Sequence, residues 1–315
     1  MNRMQFMWAH LVHLGSNMWN EEGNTRGREH RSTPCASSIL RFDGALWDAY
    51  MQELRDSGVN TVIVDVGEAM LYESHPEISA KGAFDKARMR REVEKLQALG
   101  FEVIPKLNFS ACHDAWLGDY SRMLSTPIYY RVCKELIDEV CEVFKPRHFH
   151  LGMDEETAGH QANFNMCIIR QFDLWWHDLY YLVDCVEKNG ARAWVWSDYI
   201  WNRTDEYLAK MPKSVMQNNW YYGDPFNDLN ESRMHRLRCY ELLDEKGFDQ
   251  VPAGSVFSMA DNFERLTEFS KAHISSERLC GMMQTVWERI DNGWMDRHAA
   301  AAQSIKNARA WFEKQ

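Results

Sequence analysis

The sequence predicts a single (β/α)8 barrel, a ring of parallel strands in which each strand is followed by a helix. Three observations lead there. A phrase of amphipathic helix, glycine and short apolar strand recurs along the chain. Eight short apolar segments alternate with helical stretches from one end to the other. No linker, low-complexity run or break in composition divides residues 1–315, so they read as one domain, a length α/β barrels commonly reach.

The elements follow in order. The first strand begins near Phe6 and runs into a polar, glycine-bearing first loop at about Asn17–Ser38, long enough to serve as a lid or a substrate rim. The helix-glycine phrase then appears as Glu53–Gly58, before a second strand near Thr61. It returns as Leu96–Gly100 before a third strand near Glu102, and Thr126–Phe144 forms the helix leading to a fourth near His148. Val186–Gly190 precedes a fifth strand near Ala193, and a sixth begins near Val215. A helix over Glu231–Glu245, closed by Lys246-Gly247, leads to a seventh near Val251; the eighth begins near Gly281. Glycine after a helix enters the left-handed region without steric cost. A strand that follows at once is how parallel αβ units are built.

Composition excludes several functions. Forty-six acidic residues against 36 basic ones give a net charge of −10, the wrong sign for a nucleic-acid partner. The compact basic group Lys86–Arg91 lies in a helical stretch and reads as a solvated face. No apolar run is long enough to span a membrane. The N-terminus lacks the apolar core of a signal peptide, so a cytoplasmic location is expected. The eight cysteines show no CxxC spacing and read as reduced thiols, not a disulfide frame or a zinc site. Thirteen tryptophans imply a very aromatic core or a pocket that stacks on flat apolar ring faces, and about four or five of them are assigned to a pocket. Sugars present such faces.

In a barrel of this kind, chemistry gathers where strands end and loops begin. The first strand ends on His13 and Asn17, the second on Asp65 and Glu68, and the third on Asn108, His113 and Asp114. The fourth ends on His150, Asp154 and Glu155, the fifth on Trp196, Asp198 and Trp201, and the sixth on Gln217, Asn219 and Trp220. The seventh supplies Ser258 and Asp261, and the eighth Gln284, Trp287 and Glu288. Polar and aromatic residues converging from eight positions on one rim fit a carbohydrate pocket.

The fourth segment, His150-x-Gly152-x-Asp154-Glu155, resembles the signature of glycoside hydrolase family 20, the β-N-acetylhexosaminidases. Ile104-Pro105…His113 resembles that family's third-strand segment, Trp196-Ser197-Asp198 its fifth, and Trp287-Glu288 its last. The resemblance implies a retaining, exo-acting enzyme on a terminal amino sugar. Glu155 would be the general acid and base, and Asp154 would orient the substrate's own 2-acetamido group, whose oxygen attacks the anomeric carbon. With the strand-end residues, the resemblance gives a sugar pocket of His113, His150, Trp196, Asp198, Asp261, Trp287 and Glu288, joined by Trp220, Tyr222, Asp65 and Asn108 from their places on the rim. Two positions depart from the family. The seventh segment, Val256–Asn262, has Asp261 but no tyrosine, for which Tyr221 or Tyr222 could substitute, and the first strand carries no arginine.

Adjacent carboxyls suit the chemistry if one is protonated and the other ionised, and burial beside a charged neighbour is expected to raise one of them. Glu156, one place further, reads as a supporting or exposed acid. His148 and His150 share one strand face, but no third ligand stands at a telling spacing. They read as hydrogen-bonding residues, and neither metal nor cofactor is expected. Two other readings stay open: a glycosidase with Glu288 or Asp261 as protein nucleophile, with carboxyls about 5–5.5 Å apart, and a catalytically silent sugar-binding barrel.

Overall fold

Alternation within each strand decides which side chains fill the barrel. In β1 (Met7–His13), Met7, Ala9 and Leu11 point inward, while Trp8 and Val12 face the helices. This is the period of two that a strand imposes. Ile63 of β2 (Thr61–Asp65), Ile104 of β3 (Glu102–Lys106) and Trp194 and Trp196 of β5 (Arg192–Trp196) join the same inner cluster. So do Met216 of β6 (Met216–Asn218), Ala253 of β7 (Ala253–Ser255) and Met283 of β8 (Gly281–Thr285). The fourth strand, β4, is short (His148–His150). Residues 5–23, 36–162, 164–223, 226 and 230–315 are described by this computed structural model.

All paired strands are parallel, in the order β6-β5-β4-β3-β2-β1-β8-β7. The seam between β6 and β7 is bridged by Gln217–Gln250 and Trp220–Ala253, and the Val251 and Ala253 amides donate to Gln217 and Asn219 at 2.9 Å. Proline 252 has no N–H to give the ladder, which is why β7 starts two residues beyond the expected Val251. The (β/α)8 architecture is the one the sequence predicts.

Among the described residues, eight α-helices cover the outside: α1 (Gly44–Asp56), α2 (Lys86–Ala98), α3 (Pro127–Phe144), α4 (Asp173–Lys188), α5 (Thr204–Lys210), α6 (Glu231–Glu245), α7 (Asn262–His273) and α8 (Met295–Phe312). Thr126 caps α3 by accepting from the Tyr129 amide at 3.3 Å, and Pro127 takes the first helical turn, where its missing N–H costs nothing. No described helix is long and apolar enough to cross a membrane. Of the cysteines, Cys112, Cys133, Cys141, Cys185 and Cys239 are buried thiols, Cys280 is half-buried and Cys167 is exposed; Cys35 lies outside the described residues.

The described ends of the first loop are tied to the rim. Asn17 donates to the Ser37 carbonyl at 2.8 Å and accepts from the Ser37 amide at 2.9 Å. Glu68 accepts from the Ser16 amide at 2.8 Å and the Asn17 amide at 3.2 Å. Glu21 reaches across to pair with Arg122 and accepts from the Asn165 amide at 2.6 Å, joining the loops that follow β1, β3 and β4. Residues 24–35 of this loop lie outside the described ones.

Candidate active site

The site is built on the turn that leaves β4. Gly152, Met153 and Glu155 all have positive φ, at 74°, 74° and 52°. Such backbone costs roughly 1–3 kcal/mol per non-glycine residue and persists only where the surroundings hold it. Gly152 has no alternative, because a Cβ there would stand 2.0 Å from Asn108 Oδ1. The next residues are held in place. Asn108 Nδ2 donates to Asp154 Oδ1 at 3.0 Å, Ser110 donates to the Asp154 carbonyl, and the Glu155 amide donates to Asp198 Oδ2 at 2.9 Å.

One imidazole serves both acids. His113 Nε2 stands 3.3 Å from Asp154 Oδ2 and 3.2 Å from Glu155 Oε2. Burial disfavours the imidazolium, but the two carboxylates outweigh burial and carry His113 up to about 10. The converse holds for its partners: burial pushes Asp154 and Glu155 up, and the cation beside them brings both below the usual carboxylate range. The expectation that one of this pair is raised is therefore not met. A third acid takes that role. Asp198 is buried beside Asp154 and Glu155, and burial first, then their charge, lifts it to about 7. Its Oδ1 has no hydrogen-bond partner.

Two participants, His160 and Arg170, were not singled out by sequence reasoning, and Glu156 was read only in general terms. His160 Nε2 lies 3.4 Å from Glu155 Oε1, and His160 Nδ1 lies 2.8 Å from Thr157 Oγ1. A histidine five residues past an acid is no motif, and only the folded loop brings it back. Glu156, read as a supporting or exposed acid, has a sealed side chain that pairs with Arg170 at 3.0 Å and accepts from the Ala111 amide at 3.0 Å. Arg170 also meets Asp178 at 2.6 Å, the Tyr129 hydroxyl at 2.7 Å and the Phe109 carbonyl at 3.1 Å.

The remaining predicted residues divide into those gathered at this rim and those engaged elsewhere. His150 accepts from the Gly152 amide at Nδ1 (3.0 Å), which leaves its proton on Nε2, 3.3 Å from Asn218 Oδ1. Burial brings it down to about 3, so it is a neutral hydrogen-bonding residue. His148 instead bonds Glu102 at 3.2 Å at the opposite end of the strands. The aromatic side chains form a chain of contacts. Trp196 lies 4.9 Å from His150 and 5.7 Å from Trp287, Trp287 lies 6.4 Å from Tyr222, and Tyr222 stacks on Trp220 at 4.9 Å. Trp196 itself is fully buried and forms the base of this wall, its indole N–H without a partner. The Tyr222 hydroxyl is buried with Thr285 and Trp287 beside it, and burial pushes the phenol up, with the charges of Asp154 and Glu155 adding to the effect.

Three acids have other partners. Asp65 is buried between Lys106 Nζ at 2.5 Å and His13 Nδ1 at 3.5 Å. Glu288 is buried and pairs with Arg297 at 2.6 Å. Asp261 is exposed just before α7 and pairs with Arg265 at 2.8 Å. His113, Asp154 and Glu155 are also the group among the described residues whose ligating atoms could share a cation, lying within 4.8 Å of one another. Those atoms already pair through the imidazolium, which does electrostatically what an ion would do.

No protein-family model matches the chain. In fold the chain is similar to solved structures of glycoside hydrolase family 20. The β-N-acetylhexosaminidase of that family from Streptomyces coelicolor A3(2) superposes with a TM-score of 0.63 at 10% identity, over 96% of this chain and 64% of that one. Flavobacterium johnsoniae chitobiase matches with a TM-score of 0.63 at 17% identity, over 99% of this chain and 51% of that one. Dispersin B matches with a TM-score of 0.60 at 14% identity, over 84% of this chain and 95% of that one. In sequence, a lacto-N-biosidase of Bifidobacterium bifidum is 24% identical over 149 residues, 42% of this chain. The chain spans 13% of that protein's length and less than two thirds of the first two structures.

Proposed function

We propose that this barrel is a glycoside hydrolase that releases a terminal β-linked N-acetylhexosamine with retention, by substrate-assisted catalysis. The observation that carries the reading is the Asp154–Glu155 pair at the end of β4, each acid held in its own setting around His113. Asp154 is fixed by Asn108 and kept ionised, which suits a group that orients an acetamido N–H and balances the positive charge that develops as its oxygen bonds to the anomeric carbon. Glu155 is the more exposed of the two and serves as acid and then base. The contacts from Trp196 through Trp287 to Tyr222 and Trp220 supply the apolar wall a pyranose ring requires, with Tyr222 in place of the missing seventh-strand tyrosine. The Arg297 and Arg265 partners of Glu288 and Asp261 argue against a protein nucleophile at either acid. Similarity to a β-N-acetylhexosaminidase, a chitobiase and a lacto-N-biosidase supports a carbohydrate substrate.

The test is a panel of nitrophenyl glycosides: β-N-acetylglucosaminide and β-N-acetylgalactosaminide beside the plain β-glucoside and β-galactoside. The acetamido sugars are expected to be cleaved and the plain ones not. Faster cleavage of the plain glycosides would transfer the nucleophile from the substrate to the protein.

A further inference from the structure

The two oxygens of Glu155 have different neighbours. Oε2 faces His113, which is buried and shared with Asp154, and so belongs to a fixed ion-paired cluster. Oε1 faces His160 at 3.4 Å, and the His160 side chain is 47% exposed. His160 is oriented from behind by Thr157 Oγ1 at 2.8 Å, on the same loop that leaves the acid pair. One face of Glu155 is thus closed off by a buried cation, and the other opens to solvent through a single imidazole.

We propose that His160 is the proton relay of this site, storing at Glu155 Oε1 the proton that the acid step consumes and exchanging it with solvent. The inference rests on the hydrolase reading above and adds to it a residue that neither the motif nor the fold assigns. It addresses a difficulty that reading leaves. The charges around Glu155 come from His113 and His160 on the positive side and from Asp154 and Asp198 on the negative side, and His113 and His160 bring the acid below its ordinary range. Unliganded Glu155 is therefore ionised and cannot by itself protonate a leaving group. His160 is raised by its bond to Glu155, against burial and the charge of His113, with Asp198 helping. Glu155 thus favours the protonated imidazole, whose Nε2 stands 3.4 Å from the Oε1 where the proton is used.

The steps balance. The proton passes from His160 Nε2 to Glu155 and from Glu155 to the glycosidic oxygen. As it does so the bond from that oxygen to the anomeric carbon breaks, the acetamido oxygen bonds to the same carbon, and the leaving group departs as a neutral alcohol. Water then adds to the anomeric carbon and the acetamido bond opens. The water's proton returns to Glu155 and onward to His160.

The test is His160→Gln, which keeps a hydrogen-bond donor near Oε1 but cannot carry the proton. On an alkyl or oligosaccharide leaving group kcat/KM should fall about tenfold, part of the roughly 10²–10⁴-fold that general acid catalysis contributes. On a nitrophenyl leaving group, which needs no protonation, it should hardly change. The basic limb of the pH profile should move toward acid, because in the wild type it reports the raised His160, and in the variant it reports Glu155, which His113 still holds low. Free imidazole should restore much of the loss in His160→Ala, since the position is open to solvent. Equal losses on both leaving groups with an unmoved basic limb would reduce His160 to a structural residue. A second measurement needs no turnover: the His160 imidazole, followed by NMR, should titrate at lower pH in Glu155→Gln than in the wild type. An unmoved titration overturns the relay alone, whereas a wild type that cleaves no glycoside overturns the hydrolase reading and the relay together.

Discussion

Asp154 and Glu155 are consecutive residues of one chemical type, and what separates them is the set of atoms around each. Asp154 is sealed between the Asn108 amide and the His113 imidazolium, so both of its oxygens are occupied by donors. Replacing it by asparagine turns one oxygen into an NH2 that must face a donor, and removes the charge that stabilises the acetamido nucleophile. Asp154→Asn should therefore slow aryl and alkyl glycosides alike. Glu155→Gln should instead lose roughly 10²–10⁴-fold on a sugar leaving group and far less on a nitrophenyl one, which a plot of rate against leaving-group pKa will separate. If Asp154→Asn were the leaving-group-selective variant, the two roles would be exchanged. The acid pair was legible in the sequence because its motif is local, six residues on one strand end. The protonation pattern was not, since it depends on His113 from β3, Asp198 from β5 and His160 from a loop, brought together only by the closed barrel.

At the scale of elements, the loop from β4 to α4 is positioned by one side chain. Arg170 is fully buried and joins Glu156 beside the acid pair to Asp178 of α4, Tyr129 of α3 and the carbonyl of Phe109 after β3. Buried pairs add little over well-packed apolar residues, but removing one partner leaves uncompensated charge. Arg170→Met strands two acids, Glu156 and Asp178, and should cost about 3–5 kcal/mol, read as a lowered midpoint in thermal or urea unfolding. A variant with an unchanged midpoint would mean that this network holds nothing. The helices were readable from the glycine that ends them and from caps such as Thr126-Pro127, and α6 begins and ends where its pattern predicts. This staple was not readable, because an arginine in a polar loop looks solvated until its partners, which lie across three elements, are known. The start of β7 was displaced for a local reason, Pro252, present in the sequence but counted as strand.

The whole molecule carries an excess of acid, and its interior holds some of it protonated. Glu68, buried under the first loop, is driven by burial from 4.5 to about 7 against the two backbone amides it accepts from. Asp198 is raised from 3.8 to about 7 and His113 from 6.5 to about 10. In each case the folded chain binds its proton more tightly than the unfolded one, so stability falls as pH rises through the interval between the two values. For Glu68 and Asp198 that interval ends near neutrality, and for His113 it extends into the alkaline range. Asp154 and Glu155 act oppositely, because their lowered values contribute stability that is lost only on strong acidification. Buried neutral histidines oppose Glu68 and Asp198 in acid: His150, lowered from 6.5 to about 3, and His298, lowered to about 4, contribute stability that is lost as pH falls below 6.5. Above neutrality only the loss from His113 remains, so the midpoint should decline toward alkaline pH. Glu68→Gln isolates one component. The two backbone amides meet different oxygens, so the glutamine oxygen keeps one of them and its NH2 faces the other, a loss that does not vary with pH. No proton remains to be lost, and wild-type stability should fall relative to the variant's between pH 4.5 and about 7. Thermal melts of both proteins across that interval decide it: parallel curves would mean that Glu68 is ionised in the folded barrel, and that the first loop is anchored on a charge and not on a buried neutral acid.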